Sequence, residues 1–173
     1  MFTKLIKDPV QLTPLIITWG LFVFNLLPIL APILVAMGEK NISSAIYWIY
    51  QFTCHQKASR SFFICDNQCG WCARCTFMWF STFITAYVTF MTRILWVFKG
   101  LRIIIALLLA LPLIIDGGMQ FIATWYSLWT GTPPFYESTN SIRAITGILF
   151  GTGLGLYFFP RLRDELRENM SSN

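Results

Sequence analysis

L-R-I-I-I-A-L-L-L-A-L-P-L-I-I-D-G-G-M-Q-F-I-A-T-W, residues 101–125, decides the class of this chain. From Ile103 to Ile115 no side chain carries charge or a hydrogen-bonding group. About 20 apolar residues in a helix cross the roughly 30 Å hydrocarbon core of a bilayer. A helix does so because it satisfies its own N–H and C=O groups where water cannot. Working outward, residues 15–38, 76–97 and 142–159 read the same way. The expected fold is therefore all-α. It is a four-transmembrane-helix bundle forming a single integral membrane domain over residues 1–173, with a cysteine-rich outer loop at 54–75 and a short interfacial helix before it.

Composition agrees. The chain is 55% hydrophobic and 12% charged, against about 25% charged in soluble domains, and its mean hydropathy is +0.59. The net charge of +5 does not point to nucleic acid, because basic residues of membrane proteins flank spans on the cytoplasmic side. The first apolar run is too long for the core of a cleavable leader and lacks a small-residue cleavage site, so it reads as a span. Pro28 and Pro32 predict a bend in it, and Asn25 a polar contact with a neighbouring helix. Tyr47, Trp48 and Tyr50 suit a helix lying at the interface.

Four spans put both termini on one side. That side carries Lys4, Lys7, Arg93, Lys99, Arg102, Arg161, Arg163 and Arg167; the other carries Lys40, Lys57, Arg60, Arg74 and Arg143. The majority sets the cytoplasmic face. The chain is thus expected in the plasma (inner) membrane, in contact with the lipid bilayer, with cytoplasmic termini and the cysteine loop outside. A homo-oligomer or a larger membrane complex is compatible with this reading. Pro160 and the charged residues after it read as the end of the last span followed by a short tail.

All five cysteines and the single histidine fall within residues 54–75. The Cys72-x-x-Cys75 spacing is that of a metal knuckle, and with Cys54 and His55 it makes a Cys3His set suited to a closed zinc site. Overlapping pairs Cys69-x-x-Cys72 and Cys72-x-x-Cys75, beside Arg74, equally suit thiol–disulfide exchange. Structural disulfides are the third reading, permitted on an oxidising face, although five cysteines leave one unpaired. If helical, Cys65, Cys69 and Cys72 would share a face; if the segment turns, the knuckle forms.

A second constellation is polar. Asp116 lies about 22 Å along its helix from Leu101, near the outer surface, with Gln120 one turn on. Ionisable groups at such depth face the bundle and find partners, and Arg143 is the expected partner of Asp116 or Glu137. Gly147, Gly151 and Gly155 continue the face of Arg143 and allow close helix packing, which is expected to turn Arg143 toward the third span. Either these charges form an ion pair that fixes the bundle, or they line an outer pocket for a polar or anionic head group.

Four pieces carry a family resemblance: Cys54-His55-Gln56; Arg60-Ser61-Phe62-Phe63; Cys72-Ala73-Arg74-Cys75-Thr76; and Asp116-Gly117…Gln120 with Glu137-Ser138-Thr139-Asn140…Arg143…Thr146-Gly147. Together they resemble a family of small prokaryotic multi-pass membrane proteins known only as a domain of unknown function, over about Cys54 to Gly155. The resemblance implies a polytopic membrane protein with Cys54, His55, Cys72 and Cys75 as its hallmark set. It leaves Cys65 and Cys69 as additions that suit a disulfide pair or extra ligands. The expected function is a membrane protein with an extracytoplasmic Cys/His centre, zinc its expected cofactor. Beside the centre lies a polar site of Arg60, Arg74, Asp116, Gln120, Glu137, Asn140 and Arg143 for a small polar or lipid head group, either bound or transported. The alternatives are a quinone-linked thiol–disulfide oxidoreductase, with its quinone among Trp79, Phe80 and Phe83, and an accessory structural subunit of a larger complex.

Overall fold

The computed structural model describes residues 9–91 and 101–171. Helix α1 (Pro9–Ala36) is followed by the short α2 (Lys40–Tyr50). After a 3-10 turn (Ala58–Arg60) come strands β1 (Ser61–Ile64) and β2 (Asn67–Cys72). Strand β2 runs directly into α3 (Ala73–Met91), and α4 (Arg102–Thr130) and α5 (Asn140–Ser171) follow. Among the described residues, three helical segments are long and apolar enough to cross a membrane: Leu12–Ala36, Arg102–Thr130 and Asn140–Glu168.

Helix α3, on which the second expected span begins, is not among those three. Its buried face is Ser81, Thr82, Thr85, Ala86 and Thr89 rather than aliphatic. The hydroxyls are satisfied inside the helix: Thr82, Thr85 and Thr89 donate to the carbonyls of Met78, Ser81 and Thr85 at 2.7–2.8 Å. Residues 92–97 of that expected span lie outside the described residues, as do Lys4, Lys7, Arg93 and Lys99.

The small side chains of α3 meet glycines of α5. A Cβ on Gly147 would lie 2.5 Å from the Arg74 carbonyl oxygen, one on Gly155 would lie 2.6 Å from Thr85 Cβ, and one on Gly151 would collide with the Met78 carbonyl and Ser81 Oγ. Thr82 Oγ1 also donates to the Gly151 carbonyl at 3.2 Å. The glycine row thus faces α3, not α4 as expected, while Gly153, turned to another side, meets Ala106 of α4. Helix α5 does not end at Pro160. It continues through the proline to Ser171, where Arg163 donates to the Thr89 carbonyl at 2.7 Å and Asp164 pairs with Arg102 at 3.2 Å.

Two elements differ from an all-helical reading. Residues 61–72 form an antiparallel hairpin with Phe63 opposite Gln68 and Ile64 opposite Asn67. Cys65 and Asp66 make its two-residue turn, with φ of 50° and 59°. Both central φ values are positive, the pattern that matches strand twist in tight hairpins. Strand β2 then lies directly on α1: a Cβ on Gly70 would stand 3.0 Å from Pro28 Cα. Asn25 makes the expected interhelical contact, donating to the Trp79 carbonyl at 3.3 Å.

Helix α2 buries Ser43, Ile46 and Tyr50 and exposes Ile42, Trp48 and Ile49. Tyr50 Oη donates to the Phe24 carbonyl at 2.8 Å and Ser43 Oγ to the Ala31 carbonyl at 3.0 Å. Phe24, Tyr50, Trp71 and Trp79 pack ring on ring, with Phe24 centroids 5.0–5.3 Å from the other three. This aromatic platform joins α1, α2, β2 and α3, and Cys54, Cys72 and Cys75 rest on it.

Candidate functional site

The site forms where the hairpin hands over to α3. Cys72 is the last residue of β2 and Cys75 stands in the first turn of α3. Cys54 reaches them from the segment after α2, and the Cys72 backbone N–H donates to its Sγ at 3.2 Å. The sulfurs of Cys54, Cys72 and Cys75 all lie within 4.8 Å of one another, a cluster able to hold a metal ion. Sharing of protons sets their acidity. Hydrogen bonds with Cys54 first, then Cys75, hold the Cys72 thiol well below its ordinary value. The bond to Cys72 raises Cys54.

The segment carrying Cys54 is tied down by polar side chains. Gln56, at φ 47°, donates through Nε2 to the carbonyls of Tyr47 (2.9 Å) and Gly70 (3.0 Å). Gln68 donates back to the Gln56 carbonyl at 2.6 Å, Tyr47 Oη donates to the Gln68 carbonyl, and Trp71 Nε1 donates to Thr53 Oγ1 at 3.0 Å. The glutamine of Cys54-His55-Gln56 is therefore a clamp that holds Cys54 against Cys72. His55 is exposed and does not join the three-sulfur set. Cys65 is exposed at the hairpin turn, while Cys69 lies buried further along β2, and burial raises its thiol. All five thiols are free. One strand residue advances about 3.3 Å, so the hairpin carries Cys69 away from Cys65 rather than toward it.

The polar residues converge opposite the sulfurs. Asp116 of α4 is 6% exposed and pairs with Arg74. It also accepts from Tyr136 Oη at 2.6 Å and Ser138 Oγ at 3.1 Å. Arg143, buried on α5, donates to Asn140 Oδ1 at 3.1 Å and stands 3.7 Å from Glu137, which Arg60 approaches at 3.8 Å. With its amide oxygen turned to the guanidiniums, Gln120 accepts from Arg143 Nη2 at 2.9 Å and Arg60 Nη2 at 3.2 Å. The seven polar residues singled out in the sequence thus gather in one region. The partner of Asp116 is Arg74 rather than Arg143, which takes Glu137. Tyr136 is an addition that no sequence pattern marks, and Ser138, the serine of the Glu137-Ser138-Thr139-Asn140 motif, joins as a second donor to Asp116. The phenol of Tyr136 is raised by its hydrogen bond to Asp116.

Between sulfurs and arginines opens a cavity of about 460 Å³. Cys54, Cys72 and Cys75 line it together with Arg60, Arg74 and Arg143, and His55, Lys57 and Gln120 also contribute. Arg60 Nε and Arg74 Nε are buried and have no partner among the described residues.

Among the described residues, three helices long and apolar enough to cross a membrane, and a cavity lined by thiols and arginines, have the features of a membrane protein with a polar site. The chain belongs to the family described as "Predicted membrane protein (DUF2085)", whose profile matches residues 54–157. That segment begins at Cys54 and spans the hairpin, α3, α4 and much of α5. Over 151 residues the chain is 29% identical to an uncharacterised protein of Methanocaldococcus jannaschii, covering 84% of this chain and 90% of that relative. An uncharacterised protein of Methanothermobacter thermautotrophicus is 27% identical over 107 residues, 62% of this chain and 85% of that one. No solved structure matches.

Proposed function

We propose that this protein is a four-span membrane protein of the plasma membrane, with α3 as the fourth span, cytoplasmic termini and an extracytoplasmic zinc centre. Cys54, Cys72 and Cys75 are the protein ligands, and the polar site beside them binds a small polar molecule or a lipid head group. The carrying observation is that the three clustered sulfurs and the three arginines line one cavity. Zinc suits the cluster because thiolates on a knuckle are its usual structural ligands. The backbone N–H of Cys72 on Cys54 Sγ is the kind of outer bond that orients such a ligand. In α3, the hydroxyls that lower its hydropathy are internally bonded, which suits a helix enclosed by other spans. The test is metal analysis of the full-length protein beside its Cys72→Ala variant. Retention of zinc by the variant refutes the centre.

A further inference from the structure

We propose that the fourth coordination position of the metal is filled from outside the chain by a phosphate group, which Arg60, Arg74 and Arg143 hold from across the cavity. This rests on the three-thiolate metal reading above and assigns the ligand class that completes it.

The direction of the open position follows from what surrounds the sulfurs. Behind them, Cys54 packs in the cluster of Tyr50 and Trp71, with Cys72, Cys75 and Trp79 against it. No polar group of that platform stands ready to ligate. In front, all three cysteines line the cavity. Zinc takes four ligands, and sites with three protein ligands keep the fourth position for an exchangeable one. Among the described residues no histidine or carboxylate joins the three sulfurs, so an ion held there presents its free position to the arginine wall.

The charge of the wall sets the sign of the ligand. Lys57, Arg60, Arg74 and Arg143 bring four positive charges, while three thiolates, Asp116 and Glu137 bring five negative ones. A divalent ion turns the sum to one net positive charge, which an anion neutralises.

The geometry favours phosphate over carboxylate. The site offers donors from three guanidiniums on three elements plus a metal position. A carboxylate has two oxygens in one plane, whereas a phosphate group points several outward in a tetrahedron, and arginine is the residue suited to it. The cavity, at about 460 Å³, exceeds a bare phosphate and leaves room for an attached group. Free phosphate and a phosphorylated lipid head group share this chemistry.

The test uses full-length protein in detergent, loaded with cobalt(II), whose visible bands report its coordination shell. It is titrated with inorganic phosphate and, separately, with a short-chain phosphatidic acid. The expected result is a saturable change in the cobalt bands, with affinity reduced roughly tenfold in Arg60→Gln, as for the loss of one charge-assisted hydrogen bond. A response to phosphate assigns the free anion, and a response to the lipid alone assigns the head group. Cobalt bound with bands that neither probe moves overturns the inference and leaves the metal reading standing. Failure of wild type to bind cobalt overturns the metal reading itself. Equal affinity in wild type and Arg60→Gln overturns the role of the arginine wall. If Arg60→Gln does not load cobalt, the exposed Lys57→Gln variant replaces it, with a two- to threefold loss expected and no loss counting against the wall.

Discussion

Replacing Asp116 with alanine separates a buried ion pair from an exposed one within the same network. The Asp116 side chain is 5% exposed and that of its partner Arg74 20%. The substitution strands the Arg74 guanidinium without its counter-ion and strips the acceptor from Tyr136 and Ser138. Removing one partner of a buried pair costs about 3–5 kcal/mol, because the other charge stays buried. Glu137 gives the contrast: its side chain is 56% exposed and stands 3.7–3.8 Å from two guanidiniums, and exposed pairs contribute about 0–1 kcal/mol. The assay is equilibrium unfolding of the full-length protein in mixed micelles, followed by loss of helical dichroism. Asp116→Ala should lower stability several-fold more than Glu137→Ala. The double variant Asp116→Ala/Arg74→Ala should recover part of the loss, since contacting residues couple by about 0.5–3 kcal/mol. A cost for Asp116→Ala no larger than that for Glu137→Ala, or strict additivity with Arg74→Ala, refutes the assignment of a buried pair.

Other outcomes follow from single contacts. Gly151→Ala forces α3 and α5 apart, since its Cβ collides with backbone, and should cost about 1–3 kcal/mol in the same unfolding assay. Gly118→Ala meets nothing within 4 Å and should stabilise by up to about 1 kcal/mol through helix propensity. Gln56→Ala loses two hydrogen bonds to the carbonyls of Tyr47 and Gly70 and should speed alkylation of Cys54, read by peptide mass spectrometry. The raised phenol of Tyr136 favours the protonated form in the folded state. Its contribution is full below the ordinary value of 10.0 and is lost as pH rises through the higher folded value. Stability curves of wild type and Tyr136→Phe should therefore converge only above about pH 10.

What the sequence discloses follows the strength of local physics. The apolar runs of α1, α4 and α5 are visible because length and hydropathy alone decide them. The polar site is visible in part because charged residues beside apolar runs have few places to go, so Asp116, Gln120 and Arg143 converge as expected. Which arginine takes Asp116 is not visible. That choice depends on α3 meeting the glycine face of α5, a packing outcome that places Arg74 beside α4. The hairpin is hard to see in residues 54–75, where five cysteines and a histidine suggest a ligand loop. Its own signals are short: the β-prone run Ser61–Ile64 and Asp66 in the turn, with Cys65 in a left-handed conformation that cysteine seldom announces. Pro160 misleads for a different reason. A proline usually ends a helix, but here contacts beyond it, Arg163 to the Thr89 carbonyl and Asp164 to Arg102, hold the helix through. His55 adjoins Cys54 in sequence yet stays out of the sulfur cluster, since the clamp by Gln56 fixes the backbone turn and leaves the imidazole exposed.

A metal held by three thiolates is tested by metal stoichiometry from elemental mass spectrometry. The full-length protein is compared with Cys72→Ala and His55→Ala, each purified without chelator. One zinc per chain is expected in wild type and in His55→Ala, and none in Cys72→Ala. Zinc absent from wild type, or retained in Cys72→Ala, contradicts it; loss of zinc in His55→Ala would return the fourth position to the protein.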